Sequence, residues 1–161
     1  MALDVTCTLD GHVGAVNAVR WTQSGEYCLT ASEDRTVRLW NPHAYTSSNN
    51  AGAGGAITSH ASSSSSASVW SGSLGPLSAT DTPNATHVKT YSGVHGYGVK
   101  DVCVFHDNTR FASAGDDRNV FLWDVSTGAV VRRIAAHGRA TNALAISSTS
   151  AVLATASYDQ S

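Results

Sequence analysis

Counted from three histidines, His12, His95 and His137, one pattern of apolar and polar positions returns three times along the chain. Seven and nine residues after each histidine stand Val19 and Trp21, Val102 and Val104, and Leu144 and Ile146. Seventeen and nineteen residues after it stand Leu29 and Ala31, Ala112 and Ala114, and Ala154 and Ala156; twenty-five and twenty-seven after it, Val37 and Leu39, then Val120 and Leu122. A period of two places each pair on one face of an extended strand, so every copy is predicted to supply short strands rather than helices. Polar turns such as Gln23-Ser24-Gly25 and Glu33-Asp34-Arg35-Thr36 separate them. A further strand is predicted at Ala129 to Ile134 in the second copy and at His87 to Tyr91 in the first.

Invariant spacings tie the copies together. Asp34, Asp117 and Asp159 each lie 22 residues after their histidine, and Trp40 and Trp123 each lie 28 residues after theirs. The third tryptophan position falls past Ser161. Between Trp40 and Trp123 the chain carries about one repeat length more than expected, in a run rich in Ser, Gly, Ala, Asn and Thr whose only charge is Asp81. That run has no apolar alternation and no His-to-Asp spacing. Its composition buries too little surface to offset the entropy of ordering, so a disordered inserted loop is expected rather than a hidden repeat. The predicted organisation is an N-terminal strand and the first three strands over 1–42, the loop over 43–86, an outer strand over 87–93, a second repeat over 94–135 and a truncated third over 136–161.

The composition narrows the class. With 161 residues, 42% hydrophobic and 14% charged, and a formal net charge of -2, the chain is neither collagenous, nor disulfide-dense, nor a charged disordered tail. Cys7, Cys28 and Cys103 form no CxxC pair, so they are expected to be reduced, with no metal site. The absence of a long apolar run or a signal-like start leads to the expectation of a chain of the cytoplasm and/or nucleus, without a membrane partner. Arg35, Arg38, Arg118, Arg132, Arg133 and Arg139 are dispersed and lack interleaved aromatics, so no sequence-specific nucleic-acid partner is expected.

His12, Ser32 and Asp34 contain the parts of a nucleophile, a base and an orienting carboxylate. A catalytic triad is needed once, whereas this set recurs, and no GxSxG elbow accompanies it. Repetition at fixed spacing favours architecture.

The Gly11-His12 start, the strand rhythm, the Asp six residues before each Trp, and the endings Leu39-Trp40-Asn41 and Leu122-Trp123-Asp124 resemble WD repeats, which build β-propeller blades of four antiparallel strands. The resemblance implies an all-β fold, a partial WD-repeat propeller of about two and two-thirds blades from a seven-bladed parent. It also implies a fragment whose segment Leu3 to Leu9 would close into an absent last blade. It further implies a hydrogen-bonded structural set in each blade: His12, Ser32, Asp34 and Trp40; His95, Asp117 and Trp123; His137, Ser157 and Asp159. Gly115 replaces the serine in the second copy, so that set is expected to lack its hydroxyl link.

Protein-contact positions carried over from the family are Asn17, Glu33, Lys100, Asp116, Asn142 and Tyr158. The implied function is a non-catalytic scaffold without cofactor or small-molecule substrate. The segments Tyr27-Cys28-Leu29-Thr30, Thr90-Tyr91-Ser92-Gly93 and Val120-Phe121-Leu122-Trp123-Asp124 resemble a family member that organises a mitogen-activated kinase cascade. Kinase-cascade components are therefore the expected partners, with a spliceosomal adaptor and splicing factors as the alternative. In the insertion, Asn84-Ala85-Thr86 matches a glycosylation sequon and Asp81-Thr82-Pro83 a proline-directed phosphorylation site.

Overall fold

β-branched and aromatic residues at alternate positions produce ten strands in a computed structural model that describes residues 6–46, 84–147 and 152–161. They are β1 (Val16–Trp21), β2 (Cys28–Ser32), β3 (Val37–Thr46), β4 (Asn84–Tyr91), β5 (Val99–Val104), β6 (Arg110–Gly115), β7 (Asn119–Asp124), β8 (Val130–Ala135), β9 (Thr141–Ile146) and β10 (Leu153–Ser157). Each strand pairs antiparallel with its sequence neighbour, giving two four-stranded sheets, β1-β2-β3-β4 and β5-β6-β7-β8, and a two-stranded sheet of β9 and β10. No α-helix occurs among the described residues. These are blades 1, 2 and 3 of a partial propeller. The first strands lie side by side, β5 against β1 and β9 against β5.

The turn that follows the second strand is the same in all three blades. Arg35, Arg118 and Gln160, each 23 residues after its histidine, adopt φ of 67°, 62° and 72°. Three side-chain-bearing residues thus occupy the left-handed region, which costs roughly 1 to 2 kcal/mol each.

Strand alternation directs side chains to opposite sides of blade 2. Val102, Phe111, Phe121 and Trp123 pack against Leu29, Leu39 and Tyr91 of blade 1. Cys103, Ala112, Ala114 and Val120 pack against Leu144, Ile146 and Leu153 of blade 3. The Tyr91, Phe111 and Trp123 rings fill the first junction, with Phe111 and Trp123 stacked at 5.8 Å.

Two boundaries differ from the sequence expectation. β3 continues to Thr46 and β4 begins at Asn84, so strand pairing reaches into both ends of the segment read as a loop over 43–86. Pro42 cannot donate to the ladder, and the register accordingly jumps from Asn41 to Tyr45. The Asn41 carboxamide oxygen accepts from the amides of His43 and Ala44, closing the bulge. The second difference concerns the N-terminal segment. Thr8 forms a parallel bridge with Asn84, and the Ala85 amide donates to the Thr8 carbonyl at 2.7 Å, so this part docks on the outer strand of blade 1. The serine run Ser62 to Ser66 and the Asp81-Thr82-Pro83 motif lie outside the described residues.

Candidate functional site

The recurring polar set begins with a diagonal across two strands. Trp40 on β3 sits opposite Cys28 on β2, which brings its indole within reach of the side chain two residues on, Thr30. The Trp40 Nε1 donates to Thr30 Oγ1 at 2.8 Å, and Thr30 Oγ1 lies 2.7 Å from His12 Nε2. His12 Nδ1 is 2.7 Å from Asp34 Oδ2. With a neutral imidazole, one proton arrangement satisfies every atom: indole to hydroxyl, hydroxyl to Nε2, and Nδ1–H to carboxylate.

Blade 2 repeats the chain through Trp123, Ser113, His95 and Asp117 at 2.8, 2.7 and 2.6 Å. In blade 3, His137 lies 2.8 Å from Thr155 Oγ1 and 3.1 Å from Asp159. The linking hydroxyl is therefore Thr30, Ser113 or Thr155, each 18 residues after its histidine, and not Ser32 or Ser157. The reason is distance along the strand. Ser32 lies two residues beyond Thr30, about 6.5 Å farther from the indole. Blade 2, expected to be incomplete at Gly115, is complete.

Ser32 and Ser157 do something else. Their hydroxyls donate to the carbonyls of Gly14 and Ala140, at 3.2 and 2.7 Å, and accept from the amides of Asp34 and Asp159. They brace the turn. In blade 2 a Cβ on Gly115 would lie 2.1 Å from the Gly98 carbonyl oxygen, so no serine fits there; the backbone closes directly through the Asp116 amide and that carbonyl. Ser32 is fully buried, with no path for a substrate to its oxygen.

Burial alone would raise the Asp34 carboxyl, but hydrogen bonds from the Thr36 hydroxyl, His12 and the amides of Val13 and Thr36 outweigh it and hold it well below the usual carboxylate range. Asp159 is likewise lowered, first by the Ser161 hydroxyl. The Cys28 and Cys103 thiols are pushed up to about 11, chiefly by burial, and are protonated and inert near neutral pH.

The carried-over contact positions share a backbone device. The pairing register skips one residue near the start of each first strand, at Asn17, Lys100 and Asn142. A bulge re-aims its extra residue, and these three are the bulged ones. Asn17 Nδ2 donates to Glu33 Oε1 at 3.0 Å and to the Val99 carbonyl at 2.8 Å. Lys100 Nζ donates to Glu33 Oε1 at 2.6 Å and stands 3.4 Å from Asp116. Asn17, Glu33, Lys100 and Asp116 thus form one cluster spanning blades 1 and 2. The Lys100 hydrogen bond, then that of Asn17, lowers the Glu33 pKa, and Glu33 in turn raises that of Lys100. Asn142 and Tyr158 lie apart on blade 3, where Tyr158 is 69% exposed.

Sequence reasoning missed Asp101. Its buried carboxylate accepts from Arg20 of blade 1 at 2.8 Å and from the Leu144 amide of blade 3 at 2.8 Å, clasping three blades at their inner strands. The available signal was a charge at a position that is Ala18 and Ala143 in the other repeats.

Residues 3–41 and 85–124 match the family described as WD domain, G-beta repeat. The WD repeat domain-containing protein 83 homolog of Dictyostelium discoideum is 27% identical over 128 residues, 76% of this chain and 38% of that protein. WD repeat domain-containing protein 83 of Xenopus tropicalis is 31% identical over 102 residues, 63% of this chain and 19% of that protein. Protein HIR1 of Kluyveromyces lactis is 23% identical over 155 residues, 95% of this chain and 15% of that protein. The alignments therefore cover well under half the length of these relatives. Two stretches of the chain thus match the WD40 repeat, and the fold is an all-β partial propeller of antiparallel blades.

Proposed function

We propose that the chain is a non-catalytic scaffold or adaptor that holds proteins together through the rim bearing Asn17, Glu33, Lys100, Asp116, Asn142 and Tyr158. The observation that carries this reading is the division of labour in each blade. The histidines, hydroxyls, aspartates and tryptophans are consumed in buried hydrogen-bond chains, while the bulged and turn residues stand at the surface where loops recruit partners. WD repeats generally mediate protein–protein contact, which supports the same view.

The partners proposed are components of a mitogen-activated kinase cascade, in keeping with the resemblance of the quoted segments to mitogen-activated protein kinase organizer 1. The proposed place of action is the cytoplasm and/or nucleus. The test is stoichiometric co-purification from cells: Glu33→Ala with Tyr158→Ala abolishes the association, whereas unaffected pulldowns reject the assignment. Recovery with nuclear splicing particles instead of kinases would redirect the scaffold to the spliceosome. Labelling of Ser32 by a fluorophosphonate probe would contradict the non-catalytic reading; none is expected.

A further inference from the structure

A cavity of about 430 Å³ opens in blade 2 between the loop leading into β5, the β6–β7 turn and the outer strand β8. Its wall includes Val94, Tyr97, Arg118, Asn119, Phe121 and Arg133. Arg118 of the β6–β7 turn and Arg133 of β8 line the same wall. Blade 1 offers the instructive contrast. At the position of Phe121 it carries Arg38, whose guanidinium turns inward to within 4.0 Å of Asp34 and packs over Gly11. Opposite Arg38 stands Thr90.

In blade 2 the cation has moved to the facing strand. Arg133 pairs opposite Phe121, lies 5.9 Å over its ring, and donates its Nε to Asn119 Oδ1 at 3.1 Å. This fixes the guanidinium while leaving its terminal amino groups without a partner among the described residues. Arg118 is exposed and likewise unpartnered among them.

Two carboxylates share the wall, and each is already engaged by another residue. Asp116 stands against Lys100 at 3.4 Å, and Asp117 is buried on His95 at 2.6 Å. Beside the arginines, Tyr97 and Val94 are exposed, adding an apolar shoulder to the unpartnered guanidinium groups. We propose that this groove binds an acidic peptide segment, one carboxylate side chain seated on Arg133 and Arg118 and a flanking apolar side chain against Tyr97 and Val94. The chemistry is that of guanidinium–carboxylate pairing, in which a planar fork matches the anion's two oxygens. The inference rests on the scaffold reading only in taking the occupant to be a protein.

The test uses the full chain and fluorescein-labelled octapeptides of alternating Leu and Glu, Leu and Gln, or Leu and Lys, followed by fluorescence anisotropy. The Glu peptide is expected to bind about tenfold more tightly than the Gln peptide, corresponding to one well-formed charged contact. Arg133→Gln removes that advantage, and Arg118→Asn, which suits the same left-handed backbone, diminishes it comparably. Arg132→Gln, altered next door on the side opposite Leu122, leaves it intact. Arg133→Glu reverses the preference toward the Lys peptide, a result that mere loss of structure does not produce. Equal binding of Glu and Gln peptides, or equal losses in Arg132→Gln and Arg133→Gln, overturns the proposal. Neither result touches the Glu33 and Tyr158 pulldown, so the groove and the scaffold reading fail separately.

Discussion

Blades 1 and 2 carry the same strand pattern, yet corresponding side chains meet different fates. Val19 and Val102 occupy equivalent positions on the first strands; Val19 is 51% exposed and Val102 is 0% exposed. Trp21, two residues after Val19, is 55% exposed and rests only partly against His43. Blade 2 is covered on one side by blade 1 and on the other by blade 3, whereas the Val19 face of blade 1 has no sheet against it among the described residues. The alternation therefore decides which side chains share a face, and the neighbouring blade decides what that face is worth.

The sharpest way to break this comparison is to delete one tryptophan from each setting. Trp123→Ala empties a site at the blade 1–blade 2 junction and removes the donor to Ser113, and is expected to cost about 3 to 5 kcal/mol by urea unfolding. Trp21→Ala is expected to cost under about 1 kcal/mol, because most of its surface already meets water. Similar losses would mean that the open and covered faces are energetically alike. Asp101→Ala is next in size. It strands the Leu144 amide and unpairs Arg20, at a cost of about 2 to 3 kcal/mol. Hydrogen exchange reads it locally: the Leu144 amide should lose protection while those of β2 keep theirs.

Acid sharpens the comparison within blade 1. The folded-state pKa of Asp34 is depressed, so its contribution is fully present above the unfolded value of about 4 and is lost as pH falls below it. Stability of the native chain should therefore decline from about pH 5 downward. Asp34→Asn should be less stable at pH 7 and show a shallower acid limb. Parallel limbs would remove Asp34 from the set of acid-sensitive groups. Among the polar substitutions the smallest effect expected is for Ser32→Ala, about 1 kcal/mol, since its neutral hydroxyl only braces a turn.

Much of the blade frame is readable from one residue string. Strand positions follow from period-two runs, and the His, Asp and Trp spacings point to residues that the fold brings within hydrogen-bond distance. The linking hydroxyl was legible too, but in a different column. A hydroxyl residue stands 18 positions after each of the three repeat histidines, as Thr30, Ser113 and Thr155, whereas 20 positions after them Gly115 interrupts the series. Thr30 and Ser32 share strand parity, so alternation cannot choose between them, and only the diagonal reach of the indole does.

The clasp at Asp101 and the shared wall of Arg118 and Arg133 were hidden for another reason. Both depend on strands or blades that approach through the fold rather than through sequence spacing. The continuation of β3 beyond Pro42 was obscured because proline usually ends a ladder, and here a bulge carries the chain past it.

The central claim is that the recurring polar sets are architecture, those of blades 1 and 2 held by the hydroxyl between imidazole and indole. The most direct test compares the urea midpoints of Ser113→Ala and Ser32→Ala in the full chain. The account predicts that Ser113→Ala, which unpairs the buried His95 Nε2 and Trp123 Nε1, costs about 2 to 3 kcal/mol and exceeds Ser32→Ala. Equal midpoints, or a larger loss for Ser32→Ala, would contradict it.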